Sequence, residues 1–92
     1  MVKYYRKKPI AIRAIQWTGN NLEECKEFLG EDFLTDTLKV YSDGEVAQHW
    51  INIKTLEGHH IASKGDFLIE GVHGEHYPCK PNIFKETYEE VQ

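Results

Sequence analysis

The chain is poor in cysteine and proline, the residues that form disulfides and interrupt regular secondary structure. It has two cysteines and three prolines among its 92 residues. Cys25 and Cys79 lie far apart, and we expect both thiols to stay reduced. No apolar run is long enough to cross a membrane, and no basic segment leads into a hydrophobic signal region. These shortages argue against the disulfide-rich, membrane-spanning and secreted classes, and we expect a cytoplasmic protein.

The first thirteen residues contain no acidic side chain, although the whole chain has a formal net charge of −4. They carry five cations, namely Lys3, Arg6, Lys7, Lys8 and Arg13. A basic arm would suit nucleic acid, whereas an acidic body would suit the basic groove of a nucleic-acid-binding protein. A basic first strand that lies beside acidic neighbours explains the same asymmetry without any partner.

One helix and one hairpin are the clearest elements in the pattern. Apolar residues recur three and four positions apart over residues 22–29, after an asparagine pair and before Gly30, which predicts the main helix. Residues 37–42 and 45–54 are typical of two strands joined by the turn Asp43-Gly44. The helix and the hairpin together indicate a mixed α and β protein.

The remaining elements are predicted to be short. Strands are indicated at residues 10–17, 59–62 and 67–69, with an edge strand at 88–91. Pro81 suits the first turn of a short helix that reaches Lys85. The predicted fold is therefore α+β, a small antiparallel β-sheet with one main α-helix packed on it and a short C-terminal helix.

The length of the chain suits a single domain, residues 1–92, with one modest hydrophobic core. We expect the two tryptophans, Trp17 and Trp50, to pack inside this core, together with Ile61. So small a core leaves little room for a deep enclosed active site.

Histidine is the chemical feature that stands out, because four of the five histidines lie shortly before Cys79. The spacing His73-x-x-His76-x-x-Cys79 places three zinc-ligand types on one predicted hairpin and its exit. Adjacent strand residues face opposite ways, so only one of His59 and His60 would complete the site. We expect Ile61 to face the core with His59, which favours His60 as the fourth ligand of a structural zinc ion. Surface histidines that merely cluster are the alternative.

Nucleophilic and acid–base chemistry are less well supported. Pro78 and Pro81 hold Cys79 in an extended segment, with no helix N-terminus to lower the pKa of its thiol. Asp66 is typical of a turn, and Glu75 is typical of a hairpin tip. We therefore expect a protein that is not an enzyme.

Residues 63–89 resemble one known family, and residues 3–10 and 14–20 look like the same family's opening. The quoted segments are Lys64-Gly65-Asp66-Phe67, Tyr77-Pro78-Cys79-Lys80-Pro81 and Phe84-x-x-Thr87-Tyr88-Glu89. This pattern is similar to that of small phage and prophage proteins known for a Pro-Gly-Asp-Tyr-Gly motif, with Lys64 and Phe67 in place of the proline and the tyrosine. The resemblance implies a phage accessory role in an infected bacterium and no particular chemistry, so a zinc site would belong to this protein rather than to the family.

These observations favour a protein that binds and inhibits a host antiviral-defence protein, such as a CRISPR effector, with no direct contact to nucleic acid. Exposed tyrosines are common anchors of binding surfaces, and Tyr4, Tyr5 and Tyr77 are the expected contact residues. One alternative is a small-ligand protein that sequesters a nucleotide near the glycine turns. Another is a virion or assembly component, which would form a high-order oligomer.

Overall fold

The computed structural model describes residues 1–91, which form six strands, two α-helices and one 3₁₀ turn. In chain order these are β1 (Arg13–Gln16), α1 (Leu22–Leu29), the 3₁₀ turn (Gly30–Asp32), β2 (Phe33–Val40), β3 (Val46–Thr55), β4 (Gly58–Ala62), β5 (Phe67–Glu70), β6 (His76–Cys79) and α2 (Pro81–Thr87). The α+β class, the antiparallel strands, the main helix and the short C-terminal helix are all confirmed.

The strands divide into two three-stranded antiparallel sheets rather than one. The first sheet has the order β1-β5-β6 and the second has the order β2-β3-β4. The chain passes from the second sheet to the first through a tight turn at residues 63–66. Two register irregularities interrupt the pairing of β2 with β3, one near Leu34 and one between Lys39 and Val40. Such bulges bend a strand and increase its twist.

Helix α1 forms where the apolar spacing predicts it, and it ends at Gly30, whose φ of 56° suits glycine. Asn21 occupies the N-cap position but makes no side-chain cap bond. Its amide instead accepts hydrogen bonds from the backbone and hydroxyl of Thr18 and donates one to the carbonyl of Gln16. The asparagine therefore shapes the turn between β1 and α1.

One hydrophobic cluster joins the helix to both sheets. Its fully buried members are Trp17, Cys25, Leu29, Ile51, Ile53, Ala62 and Leu68. The indole N–H of Trp17 donates to the carbonyl oxygen of His49, 3.0 Å away, so the one polar group of this ring is satisfied. The core therefore lies where the buried side of α1 meets inward-facing residues of both sheets.

Two residues expected in the core lie elsewhere. Ile61 pairs with Asn52 on the outer face of the second sheet and is 51% exposed. Trp50 is half-buried and precedes the inward-facing Ile51, so strand alternation directs it to the same outer face. The prediction that Ile61 and Trp50 pack in the core is therefore wrong, because both residues lie on the outer face of the second sheet.

The two ends of the chain depart from the predicted strands. The first strand is limited to Arg13–Gln16, and residues 1–12 form no regular element. The edge strand predicted at 88–91 is absent, because α2 extends to Thr87 and the following residues are irregular. Helix α2 covers the outer face of the first sheet, where Phe84 stacks on Phe67 with ring centroids 3.9 Å apart.

The N-terminal residues extend the molecule in one direction. The Cα radius of gyration is 15.2 Å, whereas a compact domain of this length has about 12 Å. The principal extents of 57, 34 and 26 Å agree with an arm projecting from a small body. Among residues 1–91, no helix has the length and apolar character needed to span a membrane.

Candidate functional site

The four predicted zinc ligands are distributed over both sheets and one turn. His76 is buried on the inner face of β6, whereas Cys79, three residues later, has the opposite orientation. His73 lies exposed in the turn between β5 and β6. His60 lies on β4, where it pairs with the inward-facing Ile53. Residues 1–91 contain no group of three or more His, Cys, Asp or Glu side chains able to hold a metal ion.

The alternative ligand, His59, lies on the outer face of the second sheet. Its Nε2 atom is 3.0 Å from Oδ1 of Asn52, and the Asn52 amide donates to the hydroxyl of Thr37. His59 therefore belongs to a polar network away from His60, His73, His76 and Cys79. The residues do not fit a tetrahedral site, and zinc binding stays a prediction without support from this arrangement.

His76 lies instead between two carboxylates. Its Nδ1 atom is 2.7 Å from Oδ2 of Asp32, and its Nε2 atom is 3.3 Å from Oε2 of Glu70. Only the doubly protonated ring donates a hydrogen bond to both carboxylates at once. The ring also packs edge-on against Phe28. His76 thereby connects the 3₁₀ turn after α1 to strands β5 and β6.

Arg13 extends this network to β1. Its guanidinium forms two hydrogen bonds to the Glu70 carboxylate, 3.0 and 3.1 Å long, across the β1–β5 pair. The Arg13 hydrogen bonds are the largest influence holding the pKa of Glu70 below its ordinary value, with a smaller contribution from His76. The Asp32, His76, Glu70 and Arg13 side chains thus form a structural chain across four elements.

A cavity of about 390 Å³ lies beside His76, between the β3–β4 turn and β6. His60 and His76 both line it, and Glu57 and Glu75 contribute carboxylates. Phosphate groups are repelled by carboxylates at short range. The cavity therefore does not favour the nucleotide alternative.

Asp66 has the turn-forming role that the sequence predicts, and its side chain holds more than the turn. The residue is 3% exposed. Its Oδ2 atom accepts a hydrogen bond from the backbone N–H of Ser63 at 2.9 Å. The same atom forms an ion pair with the ammonium group of Lys80 at 3.1 Å. The backbone N–H of Trp17 donates to the carbonyl oxygen of Asp66 at 2.9 Å. The motif Gly65-Asp66 thus has a structural role in holding this turn, and that role accounts for it without a catalytic one.

Neither cysteine has the properties of an activated nucleophile. Burial, with a smaller contribution from Glu24, raises the pKa of the Cys25 thiol to about 11. Burial, followed by the nearby Asp66 carboxylate, also raises the pKa of Cys79. A raised thiol pKa reduces the fraction of reactive thiolate at neutral pH.

The three tyrosines predicted to contact a partner fall into two groups. Tyr4 and Tyr5 are 103% and 90% exposed on the N-terminal arm. Tyr77 is half-buried on β6, where burial and then the hydroxyl of Tyr88 raise its pKa to about 12. Tyr4 and Tyr5 are available to a partner, whereas Tyr77 contributes mainly to the packing around the C-terminal segment.

An acidic surface on α1 is absent from the sites predicted from the sequence. The exposed side of the helix carries Glu23, Glu24 and Glu27, and Glu31 follows in the 3₁₀ turn. We refer to these four glutamates as the acidic face. The signal is present in the sequence, because apolar residues at positions 22, 25 and 29 leave the glutamate positions on the opposite side of a helix.

No family model, curated protein or solved structure matches this chain. The resemblance to small phage proteins therefore stays a prediction.

Proposed function

We propose that this protein is a phage accessory protein that inhibits a host antiviral-defence protein, such as a CRISPR effector, by occupying its basic nucleic-acid-binding groove. The acidic face of α1 is the observation that carries this proposal. The resemblance of residues 63–89 to phage proteins supplies the biological setting.

The acidic face presents several carboxylates in a small area. Glu23, Glu24 and Glu27 fall within an arc of about 100° on a helix with 3.6 residues per turn. Glu23 and Glu27 are separated by about 6 Å along the helix axis. The only cation on this helix, Lys26, lies 3.9 Å from Glu23 and offsets a single charge. The surface therefore keeps a strong negative potential that suits a groove built to hold phosphates.

Helix stability explains only part of this arrangement. Acidic residues in the first turn, here Glu23 and Glu24, interact favourably with the helix dipole. Glu27 and Glu31 lie near the negative end of the helix, where the dipole disfavours a carboxylate. The second pair adds charge to the surface at some cost to the helix, which supports a role in binding.

The opposite side of α1 fixes the acidic face in place. Cys25 and Leu29 are buried in the core, and Phe28 packs against the ring of His76. A rigid helix presents its charges without an ordering cost on binding, which improves both association rate and affinity. The proposed inhibitor therefore acts as a preformed surface and needs no catalytic group.

The test is inhibition of DNA cleavage by a guide-loaded CRISPR effector nuclease from a bacterial host. The wild-type protein is expected to inhibit near equimolar ratio. The triple variant E23Q/E24Q/E27Q keeps good helix formers and is expected to inhibit at least about tenfold less, because the lost charges steer and hold the complex. A matched control, E45Q/E57Q/E86Q, removes the same charge from exposed positions elsewhere and is expected to inhibit normally.

Equal loss of inhibition in both triple variants would show that net charge, rather than the acidic face, is responsible. The wild type would then be tested in large molar excess over effectors of several defence types. If it neither binds nor inhibits any of them, the proposed function itself is contradicted.

A further inference from the structure

The first six residues are left uncovered by the rest of the described chain, residues 7–91. Residues 1–6 are exposed and form no strand or helix, and we call this segment the arm. Met1, Val2, Tyr4 and Tyr5 are all almost completely exposed. Each tyrosine buries roughly 150–250 Å² when it is packed, so the arm leaves considerable apolar area in water. Lys3 and Arg6 give the same segment a positive charge.

A groove of about 590 Å³ lies where the arm leaves the body. One side is formed by residues 9–14 and the other by α2 and the segment that follows it. Its apolar lining includes Ile10 and Val91, which are 56% and 72% exposed. Glu89 and Glu90 also line it and make one wall acidic. We call this feature the tail groove.

Lys7 fixes the position of the arm relative to the tail groove. Its ammonium donates a hydrogen bond to the hydroxyl of Tyr88 at 3.0 Å and lies 5.0 Å from the centre of that ring. This contact is the main influence lowering the pKa of Tyr88. Tyr88 is itself part of the groove wall. The arm therefore begins at the groove and runs away from it.

We propose that two copies of this chain exchange their arms, so that the arm of each copy occupies the tail groove of the other. The arm and the groove are complementary in apolar character and in charge. Tyr4 and Tyr5 would pack on the apolar lining, and Lys3 and Arg6 would pair with Glu89 and Glu90. Six extended residues span about 20 Å, enough to cross from one body to its neighbour. Because every copy carries both surfaces, the exchange closes as a two-fold dimer.

This inference does not rest on the proposed function. The dimer uses the arm and the tail groove, whereas inhibition uses the acidic face of α1. A failure of one therefore leaves the other standing, and the two are tested with different variants.

The test uses the full chain and measures molar mass in solution by light scattering after size-exclusion chromatography. The wild type is expected to give twice the monomer mass. K3E/R6E makes both surfaces acidic and E89K/E90K makes both basic, so each variant alone is expected to be monomeric. An equimolar mixture of the two variants is expected to restore the dimer, because each arm then meets a groove of opposite charge.

The matched control for charge reversal is E45K/E57K, which changes the net charge as much as E89K/E90K but at exposed positions outside the tail groove. It is expected to remain dimeric. Circular dichroism of every variant confirms that the fold is kept.

Two results would overturn arm exchange. A monomeric wild type at all accessible concentrations would show that the arm has another partner or folds onto its own groove. A dimer that survives both K3E/R6E and E89K/E90K would place the dimer contact elsewhere.

Discussion

At the scale of single residues, the buried carboxylate of Asp66 has a structural task that a mutation can measure. Asp66→Ala leaves the Ser63 N–H without its acceptor and Lys80 without its partner. We expect a loss of about 2–4 kcal/mol in the free energy of unfolding, mostly from the backbone hydrogen bond. Lys80 contributes less, because its side chain is 60% exposed.

Urea denaturation provides the measurement for Asp66. Asp43→Ala is the matched control, since Asp43 also accepts a backbone hydrogen bond in a turn but lies exposed. The control is expected to lose less than about 1 kcal/mol. A loss as small as this in Asp66→Ala would mean that the turn forms without its carboxylate.

Glu70 gives the protein a predictable response to acid. Its pKa is lower in the folded state than in the unfolded chain, chiefly because of the Arg13 hydrogen bonds. A depressed pKa contributes stability that is present above the ordinary value near 4.5 and is lost as the pH falls through the folded value. We therefore expect the Tm of the wild type to fall below pH 5 partly through this group.

The variant Glu70→Gln isolates that contribution. It removes the titrating group, so the difference in Tm between wild type and variant is expected to shrink as the pH falls from 6 towards 2.5. A difference that stays constant over this range would show that the Arg13–Glu70 contact does not stabilise the charged carboxylate.

The histidine prediction illustrates what spacing alone leaves out. Strand alternation separates His59 from His60 in the predicted strand at residues 59–62. The same rule separates His76 from Cys79 once β6 is known to run from His76 to Cys79. The carboxylates that face His76, Asp32 and Glu70, come from other elements, and no local pattern indicates them.

At the scale of elements, the local signals predict well and the long-range pairings do not. Helix α1, the β2–β3 hairpin and the proline at the start of α2 each follow from residues adjacent in sequence. The pairing of β1 with β5 joins segments about fifty residues apart and depends on loop closure and packing. Division into two sheets was therefore not predictable from the pattern of any single strand.

The attachment of α1 to the core is the element-scale feature with the largest expected energy. Leu29→Ala removes a side chain that is 1% exposed in the core cluster. We expect it to cost about 2–5 kcal/mol, from lost burial and the cavity that remains. Leu38→Ala, at a position 54% exposed on β2, serves as the control and is expected to cost less than about 1 kcal/mol.

Both leucine variants are compared by urea unfolding at one temperature. Similar losses at the two positions would contradict the assignment of α1 as the element that closes the core.

The β5–β6 hairpin provides a direct test of the zinc prediction. Structural zinc contributes about 10–16 kcal/mol in small zinc domains, so its removal abolishes folding. His76 contacts carboxylates and Cys79 lies on the other face of β6, so these two side chains do not converge on one metal ion. We expect the thermal unfolding transition to be unchanged by a chelator. Loss of that transition on addition of a chelator would mean that this hairpin has a different arrangement.

At the scale of the whole molecule, the basic arm and the acidic face of α1 are separate features made of different residues. The basic arm projects from the body, and the acidic face of α1 is held rigidly against the core. The uneven charge of the sequence indicated such a separation, but the sequence did not show that the acidic residues share one side of a helix. The proposed inhibition and the proposed arm exchange therefore use different residues and are tested with different variants.

We propose that the protein and nucleic acid compete for one basic groove. Displacement of labelled DNA from a guide-loaded CRISPR effector measures this competition most directly. We expect the fluorescence anisotropy of the DNA to fall as the wild-type protein is added, and we expect E23Q/E24Q/E27Q to displace the DNA much less than E45Q/E57Q/E86Q. Formation of a ternary complex in which the effector holds both DNA and this protein, with the anisotropy unchanged, would contradict the claim.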